Sequence, residues 1–144
     1  MTTTLNDTLS VPRGTIHARS FSHPYWEATR EKRLLVQRCV RTGQYQFFPR
    51  PVSIATGTRE LQWEEVDGRG EIFSHTLTQR GYGVLRGHEP YLVVLVRLDI
   101  GVDVVSNLVG GSLQEVRIGL RVKPYWLALE DGTHLLMFQP DNEG

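Results

Sequence analysis

The sequence predicts a mainly β protein in which a short N-terminal helix and a hairpin lead into a five-stranded barrel of OB-fold order. Three observations predict it. After Gly70 the chain divides into five strand-like runs, 70–80, 90–99, 103–109, 121–129 and 133–139, separated by glycine-rich or polar turns. Ser112-Leu113-Gln114-Glu115, a capping-box-like string, puts one helical turn between the third and fourth runs, which is the order of a partly open Greek-key barrel. Upstream, Ser22 to Arg50 reads as a helix followed by a hairpin with the outline of a zinc ribbon. The spacing of the five runs alone also fits other five-stranded β-domains.

The elements follow in order. Residues 1–20 are Thr-rich and lack a hydrophobic period, so they read as an arm or irregular lead-in. Ser22 offers a hydroxyl to orphan N–H groups and Pro24 is tolerated in a first turn, so a helix is expected to start there and end near Lys32 or Arg33. Leu34 to Val40 and Gln44 to Phe48 have strand composition, and Thr42-Gly43 between them supplies a tight turn. Pro49 and Pro51 stop the second strand, and Val52 to Thr58 reads as a loop or knuckle. Glu71 to Gln79 alternates well, with Ile72, Ser74, Thr76 and Thr78 on one face. Tyr91 to Asp99 is the most apolar strand and the expected centre of the core. The domains expected are an arm over 1–20, helix and ribbon over 21–59, and the barrel over 60–144.

A chain of 144 residues suits one domain with a real core, and 22% charged residues is ordinary for a soluble fold. No apolar run is long enough to span a membrane and the N-terminus lacks a signal layout, so a cytoplasmic address is expected. One cysteine excludes an internal disulfide framework. The net charge of zero hides an asymmetry: residues 1–59 carry +6 and residues 60–144 carry −6. Either the basic half meets a polyanion or acidic partner, or the two halves pair with each other.

Single residues carry little chemistry by themselves. Cys39 has strand-like neighbours and no adjacent histidine to activate it, so it reads as a relic ligand or a buried thiol. His75 and His88 sit in no motif. Gly81, Gly83 and Gly87 lie between two strands and open no helix, which fails the context of a phosphate loop; a rim loop carrying Tyr82 and Arg86 is the better reading. A barrel bearing −6 is a poor platform for nucleic acid, whose binding rests on phosphate neutralisation.

The strings Trp26, LLVQRC over 34–39, Phe48-Pro49-Arg50, WEEVDGRG over 63–70, IFSHT over 72–76, Pro90-Tyr91 and RIGLRV over 117–122 occur in order along nearly the whole chain. Together they resemble the domain-of-unknown-function-thirty-five family. That resemblance implies an N-terminal helix, a rubredoxin-like zinc ribbon and a C-terminal OB-fold. It also implies a role in acyl-CoA metabolism beside a thiolase-superfamily enzyme (thiolase, aldolase or acyltransferase), the partner holding the nucleophile.

The family's two Cys-x-x-Cys pairs correspond here to Cys39, Thr42, Ser53 and Thr56, a degenerate set. Structural zinc sites need four Cys, His or carboxylate donors, so zinc is expected to be absent, coenzyme A entering only as a substrate moiety. The expectation is a non-catalytic accessory subunit in a hetero-oligomer with a thiolase-like protein, helping to hold an acyl-CoA thioester, with no nucleic acid or membrane partner. Tyr25, Trp26, Arg30, Arg33, Phe47, Phe48 and Arg50 are the expected docking residues, because aromatics and arginines dominate interface energetics. Tyr82 and Arg86 are the expected ligand contacts. The alternatives are a single-strand nucleic-acid-binding OB protein and a stand-alone small acyl-CoA hydratase or hydrolase.

Overall fold

The computed structural model describes residues 14–142, so most of the expected arm lies outside the described residues. Pro24 falls in the first turn of α1 (His23–Thr29), as its fixed φ favours. Ser22 does not cap the helix: its hydroxyl donates to the Arg19 carbonyl at 3.0 Å, within a 3-10 turn over Ser20–Ser22. The chain leaves the helix through Lys32, the only described non-glycine residue in the left-handed region, at φ 57°.

β1 (Leu34–Cys39) then pairs antiparallel with β2 (Tyr45–Gln46) around the expected turn, where Gly43 takes φ 75°. β3 (Leu61–Val66) pairs with the other edge of β1 over its whole length, completing a three-stranded sheet of order β2-β1-β3. The expected boundary at residue 60 therefore cuts through the ribbon sheet. The alternation of 61–66 shows a strand but cannot show which neighbour it takes.

The barrel strands match the expected five: β4 (Gly70–Thr78), β5 (Tyr91–Leu98), β6 (Asp103–Asn107), β7 (Arg121–Ala128) and β8 (His134–Pro140). Their order is β6-β5-β4-β7-β8, and a parallel bridge between Leu108 and Phe138 joins the two ends, as an OB barrel requires. Leu113–Glu115 forms the turn of helix between β6 and β7, a 3-10 turn that Ser112 does not cap with its side chain. Gly70 lets β4 approach β5, because a Cβ there would lie 2.3 Å from the Arg97 carbonyl oxygen.

One apolar core serves both parts. Tyr25, Leu34 and Val36 from the helix and ribbon are continuous with Ile72, Val94, Val96, Val122 and Phe138 of the barrel. Half of the charge asymmetry is paired in and beside the ribbon sheet, where Arg33, Arg38 and Arg41 of the basic half face Glu65, Glu64 and Glu60 of the acidic one.

The loop after β2 is held by two buried glutamines that face each other across β1 and β2. Gln37 donates to the Arg50 carbonyl and accepts from the Arg50 N–H, both at 2.8 Å. The amide of Gln46 donates to the Gln37 side chain at 2.9 Å and to the Val52 carbonyl at 3.1 Å, and its oxygen accepts from the Ile54 N–H at 2.9 Å. A buried amide with its partners in place specifies a conformation, and removing it orphans every partner. Gln37→Ala is expected to lower stability by about 2–3 kcal/mol, read as a fall in the urea midpoint at unchanged slope. A shift too small to measure would show that water replaces the amide.

Candidate functional site

Two devices fix the ribbon where the family places metal. The first is the glutamine pair. The second centres on Cys39, which is buried and lies against the hydroxyls of Ser53 and Thr42. Hydrogen bonds from Ser53, then from the Thr42 side chain and backbone, pull the thiol down from its ordinary value to about 6, although burial opposes the shift. Thr56, at the fourth ligand position, shares a hydrogen bond with Thr58 at 2.8 Å. One sulfur and three hydroxyls, already engaged with sulfur or with each other, do not fit zinc, and among the described residues no group of three or more His, Cys, Asp or Glu side chains gathers in a metal-binding cluster.

Chelator treatment is accordingly expected to leave the thermal midpoint unchanged, and metal analysis of the pure protein to find less than one zinc per chain. The Cys39 shift gives a second expectation. A thiol depressed in the folded state stabilises above its unfolded value, near 8.5, and that contribution fades as pH falls through about 6. Wild type should therefore gain stability relative to Cys39→Ser between these two values, measured by urea unfolding across the range; parallel pH profiles would refute it.

Beside the knuckle, α1 and the segment after β2 bring four aromatic rings together around Tyr25. Its ring lies 4.9 Å from Trp26, 5.7 Å from Phe47 and 5.6 Å from Phe48, all edge-to-face. Tyr25 is 2% exposed and Phe48 50% exposed. Tyr25 is therefore corrected as a docking residue: it supports the aromatic wall from beneath and adds nothing to the outer surface.

Opposite that wall stand β6 and β8. Between them lies a groove of about 370 Å³, lined by the four rings and by Asp103, Val104, Val105, Leu135 and Leu136. Its rim carboxylate is fixed: Arg97 forks onto Asp103 at 2.8 and 3.1 Å, holding it below the usual carboxylate range, and stacks its guanidinium 3.8 Å over Phe73. The walls are tied together. Thr29 of α1 accepts from the His134 N–H at 3.1 Å, Arg30 donates to the Asp131 carbonyl, and Ser106 of β6 donates to the Leu136 carbonyl at 2.7 Å.

The other expected site residues lie elsewhere. Arg33 is engaged with Glu65 and Glu31, while Arg50 lends its backbone to the Gln37 network and keeps an exposed side chain. Tyr82 and Arg86 are exposed on the β4–β5 loop and do not line the groove. That loop is pinned by Glu89, whose carboxylate accepts the N–H groups of Gly81 at 2.7 Å and Gly87 at 2.6 Å. These bonds, Gly81 first, hold Glu89 below the usual carboxylate range. The residues missed from sequence are the barrel's share of the groove. Alternation along 103–107 marks Val105 as outward-facing, but nothing local sets it opposite Phe48. Also missed are Val40 and Ile54, at 57% and 56% exposure, each following a former ligand position on the ribbon.

Helix, a ribbon with one cysteine among its four ligand positions, and an OB barrel, joined by an aromatic groove, define a small protein of the ribbon–OB type. Residues 26–52 match the family described as the ChsH2 rubredoxin-like zinc ribbon domain, and residues 63–127 match the ChsH2 C-terminal OB-fold domain. The chain belongs to the DUF35 family, and of the four ligand positions of its ribbon only Cys39 holds a cysteine.

It is 29% identical over 116 residues to a probable enoyl-CoA hydratase alpha subunit of Thermomonospora curvata, an alignment covering 81% of this chain and 36% of that one. The chain thus spans about a third of that relative's length. A DUF35 domain-containing scaffold protein of Pyrococcus furiosus is 26% identical over 99 residues, covering 69% of this chain and 73% of its own. Among solved structures, a chain of an Ltp2-ChsH2(DUF35) aldolase superposes with a TM-score of 0.76 and 27% identity, over 88% of this chain and 98% of that one. A DUF35 protein of unknown function from Sulfolobus solfataricus shares the fold, with a TM-score of 0.60 and 13% identity over 87% and 88% of the two chains.

Proposed function

We propose that this chain is an accessory subunit of a thiolase-superfamily enzyme in acyl-CoA metabolism, docking on the partner and helping to hold its thioester. The observation that carries the reading is the near full-length likeness, at 27% identity, to the chain of an Ltp2-ChsH2(DUF35) aldolase. A DUF35 relative named a scaffold protein and another named a hydratase subunit favour the same role. The partner supplies the reactive cysteine or base for carbon–carbon bond formation or cleavage, or for acyl transfer. Cys39 is buried under hydroxyls and has a structural use that accounts for it.

Docking on this reading runs through the ribbon. Val40 and Ile54 stand out on its two knuckles, with the exposed side chains of Arg41, Arg50 and Arg59 on the same unit. Exposed β-branched side chains on a unit that also exposes arginines suit a partner face with an apolar centre and acidic surroundings. Arg30 and Phe48 extend this surface along the helix. On this reading the exposed Tyr82 and Arg86 of the pinned loop meet the nucleotide end of coenzyme A, by stacking and by charge.

The test is reconstitution with the thiolase-type enzyme encoded in the same source. Omitting this chain should cut acyl-CoA turnover at least tenfold, and Ile54→Asp, an exposed site that leaves the fold intact, should weaken the complex by a similar factor. Full partner activity in the chain's absence would refute the role.

A further inference from the structure

We infer that the outer face of the β4–β5–β6 sheet is a self-association surface, which pairs with the same face of a second copy of this chain. The composition of β5 marks the face first. It reads Tyr-Leu-Val-Val-Leu-Val-Arg-Leu, apolar on both sides, whereas a strand with one wet side alternates apolar with polar. Leu92, Val94, Val96 and Leu98 take the inner side and are buried. Tyr91, Val93 and Leu95 are thereby turned outward and stay half-buried. Register carries the apolar character across all three strands: Leu95 pairs with Ser74 of β4 and with Val105 of β6, and Val105 is 70% exposed. The register shifts between Ile72 and Ser74, and the extra residue, Phe73, also faces outward, 45% exposed beneath the Arg97 guanidinium.

Charge identifies the occupant. At one end of the face Glu71, Arg97 and Asp103 pair across the strands, two carboxylates and one guanidinium. At the other end β4 and β5 run into their loop, where Arg80 and Arg86 are exposed and the carboxylate of Glu89 is held by the N–H groups of Gly81 and Gly87. The face is therefore acidic at one end, basic at the other and apolar between. A two-fold axis through the middle of β5 lays the loop of the second copy on the acidic row of the first and Leu95 beside its Val93, with the reverse contacts following by symmetry. The face thus supplies both halves of its own charge match, whereas a stack in the same direction would set acid on acid. Two sheets packed in this way lie about 10 Å apart. Three strands offer roughly 27 by 14 Å, about half the 800 Å² per side of a standard interface, which makes the pair a weak and reversible dimer.

Sedimentation equilibrium on the full chain tests this, over about 1 to 500 µM, a range that brackets the affinities such an area supports. A monomer–dimer equilibrium with a micromolar dissociation constant is expected, weakened by added salt because part of the match is exposed charge. Val105→Lys, at an exposed position, should keep the circular dichroism of the wild type and weaken the dimer at least tenfold. Glu71→Lys and Arg80→Glu should each weaken it at least threefold. Combining the two should recover most of the loss, because the charges exchange places across the axis. Ile54→Asp, on the ribbon, should leave self-association unchanged. A monomer throughout the range, or a dimer that Val105→Lys leaves intact, overturns the interface. A double variant no tighter than its parents overturns the two-fold arrangement. The inference goes beyond the accessory role and stands apart from it: a dimer that forms through this face while the partner works unaided would sink that role and leave the interface standing.

Discussion

The buried amide pair Gln37–Gln46 is the constraint on which the ribbon end of the molecule depends. A two-residue strand such as β2 cannot hold a loop by ladder bonds alone, and the loop it leads into contains two prolines that donate none. In a metal-bound ribbon the tetrahedral site supplies the missing constraint, and binding free energy becomes folding free energy. Here the two amides reach the backbone of Arg50, Val52 and Ile54, while Cys39, Ser53 and Thr42 close the knuckles on a sulfur. The trade has a physical logic. Each metal bond is replaced by weaker bonds, but they are numerous, buried and mutually aligned, so loss of one propagates to its neighbours.

That constraint reaches the site through covalent adjacency. Phe47 and Phe48 follow Gln46 directly, so the amide that fixes the loop also fixes half of the groove's aromatic wall. Tyr25 completes the wall from the helix and joins it to the common core. On the barrel side, the fork from Arg97 to Asp103 and the stack on Phe73 hold the rim of β6. The groove is thus assembled from two units, each fixed by its own buried or forked polar network.

The barrel was legible because its physics is periodic: alternation, glycine turns and a helical turn at the right place give strands within a residue or two of those observed. The ribbon's constraint was not. Gln37 and Gln46 sit in strand patterns where a glutamine ordinarily marks the solvent face, and only the tertiary fold shows that both point inward. Ser22 and Ser112 illustrate the opposite error, each having the residue type of a cap without making the cap bond. Strand β3 was recognisable as a strand, but its pairing with β1 is a long-range choice that alternation does not encode. The aromatic residues near 25 and 48 were visible as a set. Their division into buried support and exposed lip depends on which side of α1 meets the barrel.

How firmly the two units meet decides whether the groove exists before anything binds. The junction is tight: at Gly68, with φ 75°, a Cβ would lie 2.6 Å from Pro124 of the barrel and 3.1 Å from Leu34 of the ribbon. Only a residue without a side chain lets the linker pass between them. Thr29 and Arg30 add polar ties from α1 to the β7–β8 turn, and the apolar core runs through the junction without a break. A hinge would need a plane crossed by few contacts, and none of these features allows one there. The groove is therefore preformed, its walls already in place, so little would be lost to ordering them. The exposed ribbon tip and the groove at its base are thereby held on one continuous core, and neither must move for the other to be reached.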